Sequence, residues 1–201
     1  MTICAIVFID VSVKIRGVVM KNIFFEDNQE FTLDDYMCYG KDGRGNLGDH
    51  ISIVTYRLLE YSLKIELMEQ FGKDVQIDIF RKAGYRSGVY FASHILDLHL
   101  PFHEFVAQLQ KELKHLKIGI LRIEDYDEKT GKIVLTVSED ADCSGLPFIG
   151  ETVCNYDEGF FSGVLSKYTG KSYSVIEVDC WATGDRVCRF QAMVEEITNH
   201  E

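Results

Sequence analysis

The spacing of apolar residues changes near residue 117 of this chain, and that change constrains its fold more than any other feature. Between about residues 49 and 116 apolar side chains recur at helical spacing, as Ile51, Val54 and Leu58 do. Over residues 117–137, and again over 174–194, they alternate as in strands. The pattern predicts helices over about 49–70, 74–98 and 102–116, a hairpin over 117–137, a fourth helix over about 153–168, and a second hairpin over 174–194.

Glycines support these boundaries. Gly72 and Gly170 stand where the first and fourth helices are predicted to end, and Gly131 completes a turn suited to a positive φ. Gly84 and Gly88 lie four apart on one helix face, which permits a close helix contact. We therefore predict an α+β fold, with helices packed on an antiparallel four-stranded sheet made of two hairpins.

The N-terminal quarter has a different character. Residues 1–47 are predicted to be an accessory or dimerisation arm of strands and a glycine-rich loop, and residues 48–201 the main domain. Residues 1–19 are either an accessory strand or an upstream extension, because Met20 is a second plausible start. Gly43, Gly45 and Gly48 match a dinucleotide fingerprint, but without a preceding hydrophobic strand they indicate a flexible lead-in to a helix.

Charge and hydropathy narrow the function classes. The chain has 32 acidic and 21 basic residues, a net charge of −11. This excess argues against direct binding to nucleic acid or to an anionic membrane, since both need clustered Lys and Arg. No apolar run is long enough for a transmembrane helix, and the N-terminus is a poor signal peptide. We expect a cytoplasmic protein whose cysteines are reduced.

Three of the six cysteines fall in the last 48 residues. Cys180 and Cys188 flank a predicted turn, which would bring their sulfurs together, and Cys154 lies at a helix start, where the dipole favours a thiolate. Glu177 would face away from Cys180 on a regular strand, so shared ligation needs a bulge or a place for Cys180 in the turn. Thiolates favour zinc, but buried structural thiols remain an alternative. Cys143 is interpreted as an ordinary loop cysteine.

Residues 154–170, 175–180 and 184–190 resemble the 4-vinyl reductase domain. That domain is similar to the sensor domain of phenol- and xylene-responsive transcription activators, and more distantly to subunits of the TRAPP trafficking complex. The resemblance implies a TRAPP-subunit-like fold. It also implies a structural zinc ion held by Cys154, Glu177, Cys180 and Cys188.

The resemblance further implies a cavity for a small hydrophobic or aromatic ligand between helices and sheet. His103 lies in a roughly comparable helix, whereas Ile133 or Val134 stands where the phenol sensors have a tryptophan. Aromatic residues in the cavity could equally be ordinary core. The predicted ligand-binding residues are Tyr85, Tyr90, Phe102, His103, Phe105, Phe160 and Phe161.

The leading functional hypothesis is a regulatory sensor module rather than an enzyme. A ligand would shift an equilibrium between two states, and a protein partner or a homodimer formed through helices 49–71 and 74–98 would carry the signal. No catalytic residue is assigned. The alternatives are a 4-vinyl reductase enzyme or accessory subunit of bacteriochlorophyll (tetrapyrrole) biosynthesis, which would need a reductant site, and a TRAPP-like scaffold.

Overall fold

The computed structural model describes residues 32–37, 46–48 and 50–195, and the chain divides into two units between residues 50 and 51. Residues 1–31 and most of the glycine-rich loop lie outside the described residues, with Cys4 and Cys38. In the first unit a short helix, α1 (Leu33–Met37), lies within the arm predicted as strands and a glycine-rich loop, most of which is outside the described residues. Thr32 donates two hydrogen bonds of 2.8 Å to the Asp35 carboxylate, a cap that favours helix.

The second unit has the predicted order of helices and hairpins. The predicted second helix ends four residues early, because the backbone turns at Asp97, whose carboxylate accepts the His99 N–H ahead of Pro101. The elements are α2 (Ile53–Phe71), α3 (Lys73–His94), α4 (Phe102–His115), β1 (Ile120–Asp127), β2 (Lys132–Ser138), α5 (Asn155–Thr169), β3 (Tyr173–Asp179), a 3-10 turn (Trp181–Thr183) and β4 (Cys188–Val194).

The four strands form one antiparallel sheet in the order β1-β2-β4-β3. Alternate residues point to one face, where Leu135, Phe190 and Val175 are buried. Helices α4 and α5 cover that face, and the apolar core lies between them and the sheet. The predicted α+β fold with two hairpins is confirmed.

Helix α3 packs against α5 through glycines on both helices. A Cβ atom on Gly84 or Gly88 would overlap a carbonyl oxygen of α5, and one on Gly159 or Gly163 would overlap a carbonyl oxygen of α3. The close contact predicted for Gly84 and Gly88 is therefore present, and its partner is α5. Because α5 begins directly after Cys154, this contact also positions that cysteine.

Helix α2 exposes the apolar side of its sequence. Leu58 and Ile65 are 66% and 50% exposed, whereas the side chains of Glu60 and Lys64 are buried and form an ion pair of 2.5 Å. The helix is predicted correctly, but its buried face is polar. No described helix is both long enough and apolar enough to cross a membrane.

Candidate metal centre and adjoining cleft

Four cysteine sulfurs lie together at the end of the sheet. Cys143 comes from the loop between β2 and α5, Cys154 caps α5, Cys180 follows β3, and Cys188 begins β4. Their Sγ atoms are all within 4.8 Å of one another, with Cys154 3.9 Å from Cys180 and 3.7 Å from Cys188. Each residue is at most 1% exposed. These described residues form a closed, buried group of soft donors.

The backbone after β3 explains how Cys180 reaches this group. The pairing of β3 with β4 shifts register between Glu177 and Asp179, and Cys180 begins the 3-10 turn. The Thr183 hydroxyl donates to the Cys180 carbonyl at 2.7 Å and accepts the Cys180 N–H at 3.1 Å, which fixes the turn. A bulge in β3 or a turn position for Cys180 would each allow Glu177 and Cys180 to face the same metal, and both features are present.

Glu177 lies beside the cluster but outside the group of mutually close donors. Its Oε2 accepts the Cys154 N–H at 3.0 Å, while its buried Oε1 has no hydrogen-bond partner among the described residues. Burial raises the pKa of the Glu177 carboxyl to about 8. The structure thus brings the four sequence-predicted ligands into one region and adds a fifth donor, Cys143.

Cys143 is the residue that sequence reasoning missed. It lies in a loop, where no periodicity assigns a facing direction, and its only signal is membership of a group of four cysteines within 46 residues. Its Sγ is 3.0 Å from that of Cys188.

The donor set suits zinc. A tetrahedral ion with Zn–S bonds of about 2.3 Å has S–S edges of about 3.8 Å, close to the two distances from Cys154. Hydrogen bonding with the neighbouring thiols lowers the pKa of Cys180 and raises the pKa of Cys154. A dication would compensate the charge of further thiolates.

Buried carboxylates surround the cluster on its loop side. Asp140 and Asp142 are each 2% exposed, and burial raises the pKa of both, that of Asp140 to about 7. The Asp142 Oδ1 accepts the Tyr56 hydroxyl at 2.6 Å. Arg57 donates to the carbonyls of Ala141 and Ser144, both at 2.8 Å. The loop that carries Cys143 is therefore hydrogen-bonded to α2.

The predicted ligand-binding residues lie in different surroundings. Phe105 is fully buried and stacks on Tyr168 with ring centroids 3.9 Å apart. The His103 side chain is 80% exposed beside Glu104, and Tyr90 stacks on His94. The remaining aromatic residues pack in or against the core; they are Phe102, Phe160 and Phe161.

An open cleft of about 230 Å³ lies between α3, α5 and the edge strand β3. Tyr85 is the one predicted ligand residue among those lining it. Gly159, one of the glycines at which α3 and α5 approach closely, also lines it. The lining residues are Arg81, Lys82, Tyr85, Glu158, Gly159, Ser162, Tyr173, Ser174, Val175 and Glu195.

The Glu158 carboxylate connects this cleft to the cysteine cluster. Its Oε2 accepts Arg81 Nε at 2.6 Å and Asn155 Nδ2 at 3.2 Å. Its Oε1 accepts the Glu177 N–H at 2.9 Å. Glu158 is 2% exposed, whereas the Arg81 side chain is 46% exposed. One buried carboxylate therefore contacts both a residue of the cleft and the strand that carries Glu177.

Comparison with known proteins places this fold and site in a family. The model of the 4-vinyl reductase domain matches residues 133–193, the segment from β2 to β4 that contains all four clustered cysteines. The chain belongs to the 4-vinyl reductase domain family. An uncharacterized protein of Methanocaldococcus jannaschii, MJ1642, is 30% identical to this family member over 135 residues, covering 62% of this chain and 81% of that protein. A second one, MJ0150, is 24% identical over 112 residues, and the match covers 56% of this chain and 64% of that protein.

Solved structures share this 4-vinyl reductase domain fold at low identity. The phenol-responsive sensory domain of the transcription activator PoxR, with phenol, has a TM-score of 0.58 at 15% identity, covering 73% of this chain and 76% of that one. A vinyl-4-reductase family protein from M. jannaschii has a TM-score of 0.51 at 16% identity, covering 75% and 85%. Subunit 3 of the Naegleria fowleri trafficking protein particle complex, with covalently bound palmitic acid, has 0.53 at 14% identity, covering 72% and 98%. The predicted TRAPP-subunit-like fold is confirmed.

Proposed function

We propose that this 4-vinyl reductase domain protein is a ligand-sensing regulatory module in which a small hydrophobic or aromatic ligand binds the cleft beside Tyr85 and a structural zinc ion stabilises the adjoining cysteine cluster. The observation that carries the proposal is the Glu158 carboxylate, which bonds Arg81 in the cleft and the backbone of Glu177 beside the cluster. The fold is shared with the phenol-responsive domain of PoxR, which supports a sensing role.

The residues present fit a zinc ion. Cys154, Cys180 and Cys188 offer three sulfurs. The fourth donor is either Cys143, whose sulfur belongs to the same close group, or Glu177, whose buried Oε1 has no hydrogen-bond partner among the described residues. With four protein ligands a bound zinc is structural, since no position is left for water. It would hold the loop, the start of α5 and the β3–β4 hairpin together, a contribution on the order of 10 kcal/mol.

The cleft suits a ligand of one or two rings. Its volume of about 230 Å³ is below that of most drug-sized pockets. Tyr85 supplies an aromatic wall, and Arg81 supplies a cation whose guanidinium is only partly occupied by Glu158. A ligand that attracts Arg81 would weaken its bond to Glu158 and relax the attachment of α5 to β3. A two-state sensor requires a contact that differs between its ligand-free and ligand-bound states, and the bond between Arg81 and Glu158 would be that contact.

The output of the module is proposed to pass through a homodimer or a regulatory partner, for example one that controls transcription. The outward side of α2 carries Val54, Leu58, Ile65 and Met68, all at least 44% exposed and spaced by four, seven and three residues. The inner face of α2 packs on the domain, and an exposed apolar outer face of this kind marks a surface that binds another protein or a second copy of the chain. The reduced, buried thiols suit a reducing compartment such as the cytoplasm.

Native mass spectrometry of the purified protein tests the proposal directly. We expect about one zinc per chain, and a mass increment from a bound small molecule or from an added panel of phenols and indoles. Cys188→Ser should lose the metal and stability together. Full metal content in Cys188→Ser would refute the zinc site.

The cleft has its own test. Tyr85→Ala should weaken binding of the retained compound while leaving zinc content unchanged. Glu158→Gln removes the charge that holds Arg81, so it should reduce the effect of bound ligand on the cluster, measured as the ligand-induced change in hydrogen exchange around residues 177–188. If ligand binding protects that segment equally in Glu158→Gln, the proposed coupling is wrong.

Leu58→Glu should shift a dimer to monomer in light scattering.

A further inference from the structure

Five donors surround a site that needs four, and the choice between two of them determines what the metal holds together. Cys154, Cys180 and Cys188 belong to either set; the fourth ligand is Glu177 or Cys143. We propose that Cys143 is the fourth metal ligand, and that Glu177 is a positioning residue that fixes the Cys154 backbone. This inference rests on the metal site proposed above and names its ligand set.

The geometry favours the four sulfurs. Among the described residues the cysteine sulfurs lie within 4.8 Å of one another as a group, and the Glu177 carboxylate does not join them. Every donor of a tetrahedral site is near every other, with edges of about 3.8 Å between sulfurs. Cys143 and Cys188, now 3.0 Å apart, would separate by about 0.8 Å on binding, whereas the two printed distances from Cys154 already match a tetrahedral edge.

Glu177 already has a different task. Its Oε2 accepts the Cys154 N–H at the start of α5, and its own N–H is held by Glu158. Ligands of structural metals are oriented by such hydrogen bonds from a second layer of residues. In this arrangement Glu177 controls the direction of the Cys154 sulfur without touching the metal.

The assignment changes what the metal connects. A site with Glu177 would join only α5 to the β3–β4 hairpin. With Cys143 it also anchors the loop of residues 139–146, whose Asp142 and Ala141 are hydrogen-bonded to Tyr56 and Arg57 of α2. Metal occupancy would then set how firmly α2, with its exposed apolar side, is attached to the domain.

Substitution with cobalt counts the thiolates directly in the intact protein. The thiolate-to-cobalt charge-transfer absorbance of the wild type should correspond to four sulfurs and fall by about one quarter in Cys143→Ser. Glu177→Gln should retain the full absorbance and weaken metal affinity by about 10- to 100-fold, as loss of a second-layer contact does.

Each outcome decides the assignment. A wild-type spectrum with three thiolates, or full absorbance in Cys143→Ser, would overturn it, and the proposed metal site would survive with Glu177 as ligand. Absence of any cobalt or zinc from the wild type would overturn both. Because the wild-type spectrum alone counts the sulfurs, the result does not depend on Cys143→Ser folding. In hydrogen exchange, removal of the metal should increase exchange in residues 139–146 and 53–71 of the wild type.

Discussion

At the contact between α3 and α5, we predict that replacing glycine by alanine destabilises the fold, whereas helix propensity alone predicts stabilisation. Replacing glycine by alanine inside a helix normally stabilises a protein by about 1 kcal/mol. At Gly84, however, a Cβ atom would lie 2.9 Å from the Phe160 nitrogen and would overlap the Tyr156 carbonyl oxygen outright. At Gly88 it would overlap the Phe160 carbonyl oxygen in the same way.

The cost follows from how far the helices must separate. Ordinary van der Waals contact begins near 3.4 Å, so even the milder overlap of Gly84→Ala requires a shift of about half an ångström, and the carbonyl overlap requires more. A gap of that size forfeits a quarter to a half of the dispersion energy along the interface. Overpacking of this kind costs about 1–3 kcal/mol. We expect Gly84→Ala and Gly88→Ala each to destabilise the fold by about 2–3 kcal/mol.

Urea denaturation followed by circular dichroism measures this loss, and Ala83→Gly on the exposed side of α3 is the matched control for propensity alone. Thermal midpoints should fall by roughly 5–10 °C. The double variant Gly84→Ala/Gly88→Ala should cost less than the sum, since one displacement accommodates both methyl groups. Stabilisation by either alanine would refute the close packing of α3 on α5.

Two further predictions address buried residues away from that contact. Burial raises the pKa of Glu60 from 4.5 to about 7, so the folded state binds this proton more tightly than the unfolded state. Its contribution to the free energy of unfolding is therefore complete below about pH 4.5 and is lost as the pH rises through 7. Glu60→Gln should remove this slope, at most about 3 kcal/mol, in denaturant midpoints measured from pH 5 to 8 against the wild type. Phe105→Ala should lower the free energy of unfolding by about 3–5 kcal/mol, because the ring loses its stack on Tyr168 in the core. It should not selectively weaken ligand binding. An unchanged free energy of unfolding would contradict the core placement of Phe105.

The elements that could be predicted are those whose apolar residues recur at a regular spacing. Helical spacing located α4, whose buried Phe105, Leu109 and Leu113 follow a single apolar stripe. Alternation located β2 and β4, because one side of each strand faces the core. The turn at Gly131 was predicted from its suitability for a positive φ, and it has φ 74°. Each of these signals is local in sequence.

The parts that could not be predicted depend on partners distant in sequence. Burial of Glu60 and Lys64 is tolerated because Lys64 also donates to the Val153 carbonyl at 3.0 Å, a partner 89 residues away. Periodicity alone orients the apolar side of α2 inward and gives the wrong face. Cys143 was overlooked for the same reason: only the folded chain brings its loop to the β3–β4 hairpin.

The inverted polarity of α2 bears on how the module would signal. Five hydrogen bonds from Tyr56, Arg57, Tyr61 and Lys64 attach its inner side to residues 141–144 and 153. At a net value of about 1 kcal/mol each, they contribute about 5 kcal/mol, less than a helix of this length gains by burying an apolar stripe. Helix α2 also packs against α3, where Lys64 lies over the Phe80 ring, so these bonds are one part of its attachment. In the proposed module, movement of the loop beside the cysteines would alter this polar part and change how α2 presents its apolar outer side to a partner.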